Sequence, residues 1–276
     1  MDNRARTAEL EYAACLARAF GGALLFAFPL LMTMEMWQLG HSIERWRLLV
    51  FVLATLPMLL GLSWVAGFEP TFRLKDELLD ALAAFGVGVI LSAVVLALMN
   101  ELSAGMTGGE VLGRIAICSA PAAIGALLAT KQFQARNEDA ERATAAGGYP
   151  AELFIMLVGA VFLAFNVAPT EEVMLIALQM TPWHGLALAT ATLGVMHLLV
   201  FRLGFPGEDR RRGDLGPAAA FTFRTLPGYA IALLVSLFCL WVFGRASDLA
   251  PADLAMMLVV LGFPAGIGAA TARLVV

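Results

Sequence analysis

The sequence predicts an all-α, polytopic membrane protein with about eight transmembrane helices arranged as two parallel four-helix repeats. Three observations carry this reading: a mean hydropathy of +0.81 with only 14% charged residues, a set of apolar segments of spanning length, and a second half that repeats the first. An ordinary soluble domain carries about 25% charge, so this chain is too apolar to be one.

Crossing a hydrocarbon core takes about 20 apolar residues in helix. Segments 19–40, 47–68, 78–99, 112–130, 152–177, 183–204, 218–243 and 253–275 qualify, and little is left over for a soluble domain. The first dozen residues are polar, and the first apolar run is longer than a signal-peptide core. It is therefore read as a retained helix.

Lys and Arg near span ends are held on the cytoplasmic side. With eight spans, Arg4, Arg6, Arg18, Arg73, Lys75, Lys131, Arg136, Arg142, Arg202, Arg210, Arg211, Arg212, Arg224 and Arg273 fall on one side, with both termini. Arg45, Arg47, Arg114 and Arg245 fall on the other, so the termini are predicted to be cytoplasmic. Trp37, Trp46, Trp183 and Trp241 lie near outer span ends, as an aromatic belt requires.

The net charge of −4 is a slight acidic excess spread over short loops, and the basic run "EDRRRGD" is interrupted by acids. No nucleic-acid footprint is present, so the partners expected are membrane lipid and an inorganic cation or proton. Cys15, Cys118 and Cys239 are far apart and lack metal-like spacing.

A shift of 137 residues lays "GALLFAFPLLMTMEMW" from Gly22 on "GAVFLAFNVAPTEEVM" from Gly159, with six of sixteen positions identical, Thr33/Thr170 and Glu35/Glu172 among them. The same shift pairs Trp46 with Trp183 and Gly67-Phe68 with Gly204-Phe205. Past the longer basic loop the shift becomes 143 or 144, pairing Ser92 with Ser236 and "PAAIGA" from Pro121 with "PAGIGA" from Pro264. Each half, 1–137 and 138–276, then holds four spans, with 131–150 as linker. Four is even, so the second copy enters from the same side as the first, and the repeats are predicted to be parallel.

Within span 19–40, Glu35 is expected about 8 Å outward of the midplane at roughly 1.5 Å per residue. A charge at that depth costs at least about 2 to 3 kcal/mol and should face the bundle interior. Glu172 is its counterpart across the pseudo-twofold axis, and Glu171 adds a third carboxylate. Pro29 and Pro169 each lack the amide that would pair with a carbonyl four residues back, so a helix break is expected beside each acid. Thr33, Thr170 and Asn166 add oxygens. Such a set suits Na⁺, Ca²⁺ or a proton relay, whereas zinc and copper want His and Cys. Burial and like charge are expected to raise the proton affinity of at least one glutamate.

Asn100, Glu101 and Glu110, near the outer end of the third span, read as solvated. Gly86, Gly88, Gly125, Gly266 and Gly268 read as close-packing points between spans. His197 breaks the repeat, its counterpart being Leu60.

"PLLMTMEMW" and "APTEE" resemble the signature of a family of uncharacterised bacterial integral membrane proteins, known by a domain of unknown function and similar in length to this chain. That resemblance covers essentially the whole chain. It implies a bacterial inner-membrane location and no activity. The acids of "EE" with a downstream His197 also resemble CAAX-type intramembrane proteases. The Arg that follows the second Glu in that family is missing from "EEVMLIA", and His197 is expected about 15 Å from Glu172 along the membrane normal.

The function expected is a cation or proton channel or transporter, with Glu35, Glu171 and Glu172 binding or relaying charge and no enzymatic activity. An intramembrane hydrolase using Glu171, Glu172 and His197 is the alternative, and a non-transporting scaffold or sensor is a third. A homo-oligomer stays open.

Overall fold

In lipid every backbone N–H and C=O must be satisfied within the chain, which leaves helices as the natural solution for so apolar a sequence. The computed structural model describes residues 3–66, 74–103, 105–134, 148–202, 216–247 and 249–275, and every regular element among them is helical. Most of the expected linker 131–150, and the boundary expected at 137/138, lie outside the described residues.

In chain order the elements are α1 (Asn3–Leu31), α2 (Met34–Ser42), α3 (Arg45–Ala66), α4 (Leu74–Leu98), α5 (Gly108–Gln134), α6 (Gly148–Val167), α7 (Glu172–Gln179), α8 (Pro182–Arg202), α9 (Pro217–Ala220), a π-helical turn (Phe221–Thr225), α10 (Leu226–Val242) and α11 (Pro251–Val275). They fall into two compact units, Met1–Ala146 and Gly147–Val276. Each unit runs long helix, short helix, then three long stretches. In the first, α5 packs on α1, α2, α3 and α4; in the second, α11 packs on α6, α7, α8 and α10.

The central position of α5 follows from its small side chains. Residues 117–129, "ICSAPAAIGALLA", are buried throughout, and Pro121 and Pro264 sit inside uninterrupted helices. Close approach is carried by glycine pairs. A Cβ on Gly22 would overlap that of Ala129, and one on Gly125 would meet Phe26 and the Gly22 carbonyl. At the positions 137 and 143 further on, a Cβ on Gly159 would collide with the Gly268 carbonyl and with Ala272, and one on Gly268 with the Gly159 carbonyl. Small residues letting backbones approach are how helices associate in lipid, where burial alone supplies no drive. Gly88 and Gly266 are close-packed too, whereas nothing lies within 4 Å of a Cβ on Gly86.

The third long helix of each unit ends in the same way. Asn100, at φ 61°, donates its amide to Ala97 O, and the Glu101 amide reaches Leu96 O at 2.8 Å; Gly244, at φ 74°, donates to Trp241 O, and Arg245 reaches Leu240 O at 2.8 Å. Both are left-handed caps that satisfy the last carbonyls of a helix. Asn100 is there because asparagine tolerates positive φ better than other side chains that carry a Cβ.

Among the described residues seven helices are long and apolar enough to cross a membrane. They include all the expected spans except 183–204. Its helix α8 is long enough, about 30 Å at 1.5 Å per residue, but the side chains of its last residues, 200–202, lie outside the described residues. Lipid-facing exposure of large apolar side chains is general, with Leu25, Leu98 and Leu234 each more than two-thirds exposed.

Candidate functional site

The first long helix of each unit ends at a break, and an acidic short helix begins just beyond it. Span 19–40 is therefore not continuous. Helix α1 stops at Leu31, and Thr33 turns to φ −96°, ψ 128°, extended backbone that no helix continues. Pro29 is accommodated inside the end of α1. The Thr33 amide and hydroxyl both donate to Leu30 O, at 3.1 and 2.8 Å, and the Trp37 indole N–H donates to Leu31 O at 2.7 Å. Glu35 stands in the first turn of α2, half-buried.

Span 152–177 is interrupted likewise. Helix α6 stops at Val167, Pro169 lies buried in the break, and the Thr170 amide and hydroxyl both donate to Val167 O, at 3.1 and 2.8 Å. Thr33 and Thr170 thus make the same two bonds, 137 residues apart. Asn166 is committed elsewhere, its amide donating to Phe162 O at 2.7 Å inside α6.

Glu171 caps α7 at φ −79°, ψ −14° with no side-chain cap bond, and Glu172 opens the first turn. Both are exposed. Its own backbone N–H, and then the Thr170 hydroxyl, hold the Glu172 carboxyl below the ordinary glutamate range. A carboxylate at a helix start gains donors, and here these outweigh its partial loss of water.

Glu171 has a partner that the sequence did not announce. Arg245, just past the α10 cap, stands 3.2 Å from Glu171 Oε1 and donates at 2.8 Å to Pro169 O. One guanidinium thus clamps both the acid and a carbonyl of the break. In the first unit Arg114 of α5 reaches the Glu101 carbonyl and carboxylate, each at 2.7 Å. Glu101 is paired, not simply solvated. Glu110 shares a capping box with Thr107, its carboxylate accepting the Thr107 amide at 2.7 Å, and its other oxygen faces His41 Nδ1 at 2.9 Å.

His197 lies apart from the acids. Its Nδ1 is 3.1 Å from Thr225 Oγ1, and its ring stands edge-on to Phe221 at 5.4 Å between centroids. Thr225 precedes α10 while Arg245 follows it, twenty residues on, or about 30 Å along the axis. Glu171, held by Arg245, is therefore at the opposite end of α10 from His197, and the hydrolase constellation of Glu171, Glu172 and His197 is not assembled. Beside His197, Arg224 pairs with Glu152 of α6 at 3.4 Å with both side chains mostly buried, and Tyr149 Oη donates to Phe223 O at 2.6 Å. Among the described residues no three His, Cys, Asp or Glu side chains are grouped to hold a metal ion.

The sequence of the whole arrangement, residues 15–276, matches the family model described as "Putative integral membrane protein (DUF2391)". The chain belongs to this family. No curated protein and no solved structure matches it. Membership of DUF2391 makes the chain an integral membrane protein, in accord with its helices.

Proposed function

We propose that this DUF2391 protein moves a proton or a small cation across a bacterial inner membrane, with both termini cytoplasmic and the two acidic helix breaks as the places where charge is handled. The recurrence of the break supports this most: a threonine clamping the carbonyl three residues back, then a glutamate in the first turn of a short helix, at matching positions of both units. Interrupted hydrophobic segments at corresponding places in the two halves of a membrane protein are the best pointer to a transport site, because irregular backbone survives at membrane depth only beside a cavity or within protein.

The donor set favours a proton or a weakly held monovalent cation. Ca²⁺ takes about six to eight oxygens, whereas the break carbonyls Leu30 O, Leu31 O, Val167 O and Pro169 O already accept protein donors.

Fluxes of H⁺, Na⁺, K⁺ and Ca²⁺ into proteoliposomes, for the wild type and for Glu35→Gln and Glu172→Gln, test this and identify the ion. A wild-type flux that falls in both variants is the expected result. Absence of any wild-type flux, or full flux in both variants, would leave the scaffold reading, in which glutamine keeps the hydrogen bonds.

A further inference from the structure

A hydroxyl inside a helix commonly bonds its own backbone. Thr55, Thr190, Thr192, Thr222 and Thr271 each donate to the carbonyl four residues back, at 2.7 to 2.9 Å, and Ser236 does the same to Ala232 O at 2.7 Å. Ser92 breaks the habit. It is the residue that the repeat pairs with Ser236, it is fully buried in α4, and among the described residues its Oγ has no hydrogen-bond partner. Helix α4 runs unbroken through Gly88, four residues back, so the bond that Ser236 makes is open to Ser92 as well. The difference between the two serines is set outside their own helices.

What differs is the residue opposite. Helices α4 and α5 run antiparallel, with Glu101 against Arg114 near one end. They cross at Gly88, where a Cβ would stand 2.5 Å from Ser119 O and 3.0 Å from Ala123 N. Ser92 lies one turn further towards the Glu101 end, about 6 Å on and on nearly the same face. On α5 the facing turn is the one from Ala116 to Ser119, and Ser119 tilts into it, because helical side chains lean towards the N-terminus of their helix. The Ser119 side chain is fully buried, and its hydroxyl donates to Ala116 O at 2.8 Å, which leaves the oxygen free to accept.

In the second unit the shift of 143 puts Gly262 in the place of Ser119. A Cβ there would meet Leu233 at 2.8 Å and the Tyr229 ring at 3.7 Å, so apolar side chains close the space. With no hydroxyl opposite, Ser236 turns back to its own helix. With Ser119 opposite, Ser92 does not.

Both serines of the first unit lie within membrane-spanning stretches, Glu77–Leu98 and Gly108–Ala129. A polar group without a partner is costly at that depth, and an internal water satisfies such groups when it finds about three polar neighbours. Ser92 Oγ, Ser119 Oγ and Ala116 O supply three.

We propose that the α4–α5 crossing of the first unit binds one internal water molecule between Ser92 and Ser119, a hydrated point at membrane depth that the second unit lacks. The water accepts from the Ser92 hydroxyl and donates to Ser119 Oγ and Ala116 O. No charge moves, and the site is independent of the transport reading above.

Water-to-protein polarisation transfer in solid-state NMR reads such a water directly, on the full-length protein ¹³C-labelled at serine and held in lipid bilayers. Ser92→Ala, Ser119→Ala and Ser236→Ala give the assignments. The Cβ signals of Ser92 and Ser119 are expected to receive water magnetisation, and that of Ser236, equally buried, to receive none. A Ser92 signal as dark as that of Ser236 overturns the proposal. Thermal unfolding gives a second reading. Ser92→Ala and Ser119→Ala should each lower Tm by about 2 to 4 °C, and the double variant should lose less than their sum, because either substitution releases the same water. Additive losses contradict the proposal, as does a rise in Tm for Ser92→Ala, since alanine in a dry site removes an unsatisfied hydroxyl. Coupled losses with a dark Ser92 signal would mean a direct bond between the two serines and would overturn it too.

Discussion

The guanidinium of Arg245 stands 3.2 Å from Glu171 Oε1 and at the same time donates to Pro169 O at 2.8 Å. The two bonds differ in worth. Glu171 is mostly exposed, and exposed ion pairs contribute about 0.2 to 1 kcal/mol at best. The carbonyl bond is partly buried, and charged donors to such acceptors contribute about 1.5 to 3 kcal/mol. Arg245→Gln should therefore destabilise the protein by about 1 to 2 kcal/mol, and Glu171→Gln by less than about 0.5 kcal/mol, in reversible unfolding from mixed micelles. Equal losses would show that the ion pair, and not the carbonyl, is what the arginine serves.

The glycine crossings predict matched damage in the two units. Gly159→Ala and Gly268→Ala place a methyl into the opposing backbone, as do Gly22→Ala and Gly125→Ala. Overpacking of this kind costs about 1 to 3 kcal/mol. Gly86→Ala, with nothing within 4 Å, should be neutral or stabilise by up to about 1 kcal/mol through helix propensity. Thermal unfolding of the five variants checks the contrast.

Glu172 gives stability a pH dependence of known sign. Its carboxyl is held below the ordinary value by its own amide and by Thr170. A group whose folded value is depressed adds stability that is complete above the ordinary glutamate value and is lost as pH falls through the folded one. Wild type should therefore lose stability as the pH drops below about 4.5, and Glu172→Gln should lose less over the same range. Parallel curves for the two proteins would mean that the carboxylate gains nothing from the start of α7.

Asn100 and Gly244 sit at positive φ in equivalent caps. Asn100→Gly should be neutral or slightly stabilising, while Asn100→Ala and Gly244→Ala should each cost about 1 kcal/mol, because alanine resists the left-handed region. Chemical denaturation of the three variants measures this directly.

The apolar composition, the spans and the repeat were legible because each is written over many residues. The repeat even reaches individual bonds, since Thr33/Thr170, Gly22/Gly159 and Asn100/Gly244 all match. The ends of α1 and α6 were not legible to within a few residues. Proline marks a disturbance, but Pro29 fits inside α1, and the stop is set at Thr33 by an extended backbone. This moved both glutamates from mid-span to the first turn of short helices, where the Glu172 carboxylate gains its own amide and the Thr170 hydroxyl as donors. Arg245 was read only as a topology charge, because its partner Glu171 is 74 residues away. The π turn leaves no local composition signal. His197 stood out only as a break in the repeat, and its contact with Thr225 depends on a winding that sequence pattern does not record.

The central claim is that the two matched acidic breaks handle the transported charge. Its most direct test is ion flux through the double variant Glu35→Gln/Glu172→Gln, reconstituted in proteoliposomes at wild-type density and with wild-type thermal stability. Flux is predicted to fall at least about tenfold, equivalent to about 1.4 kcal/mol on the limiting barrier. Wild-type flux from a folded double variant would contradict it.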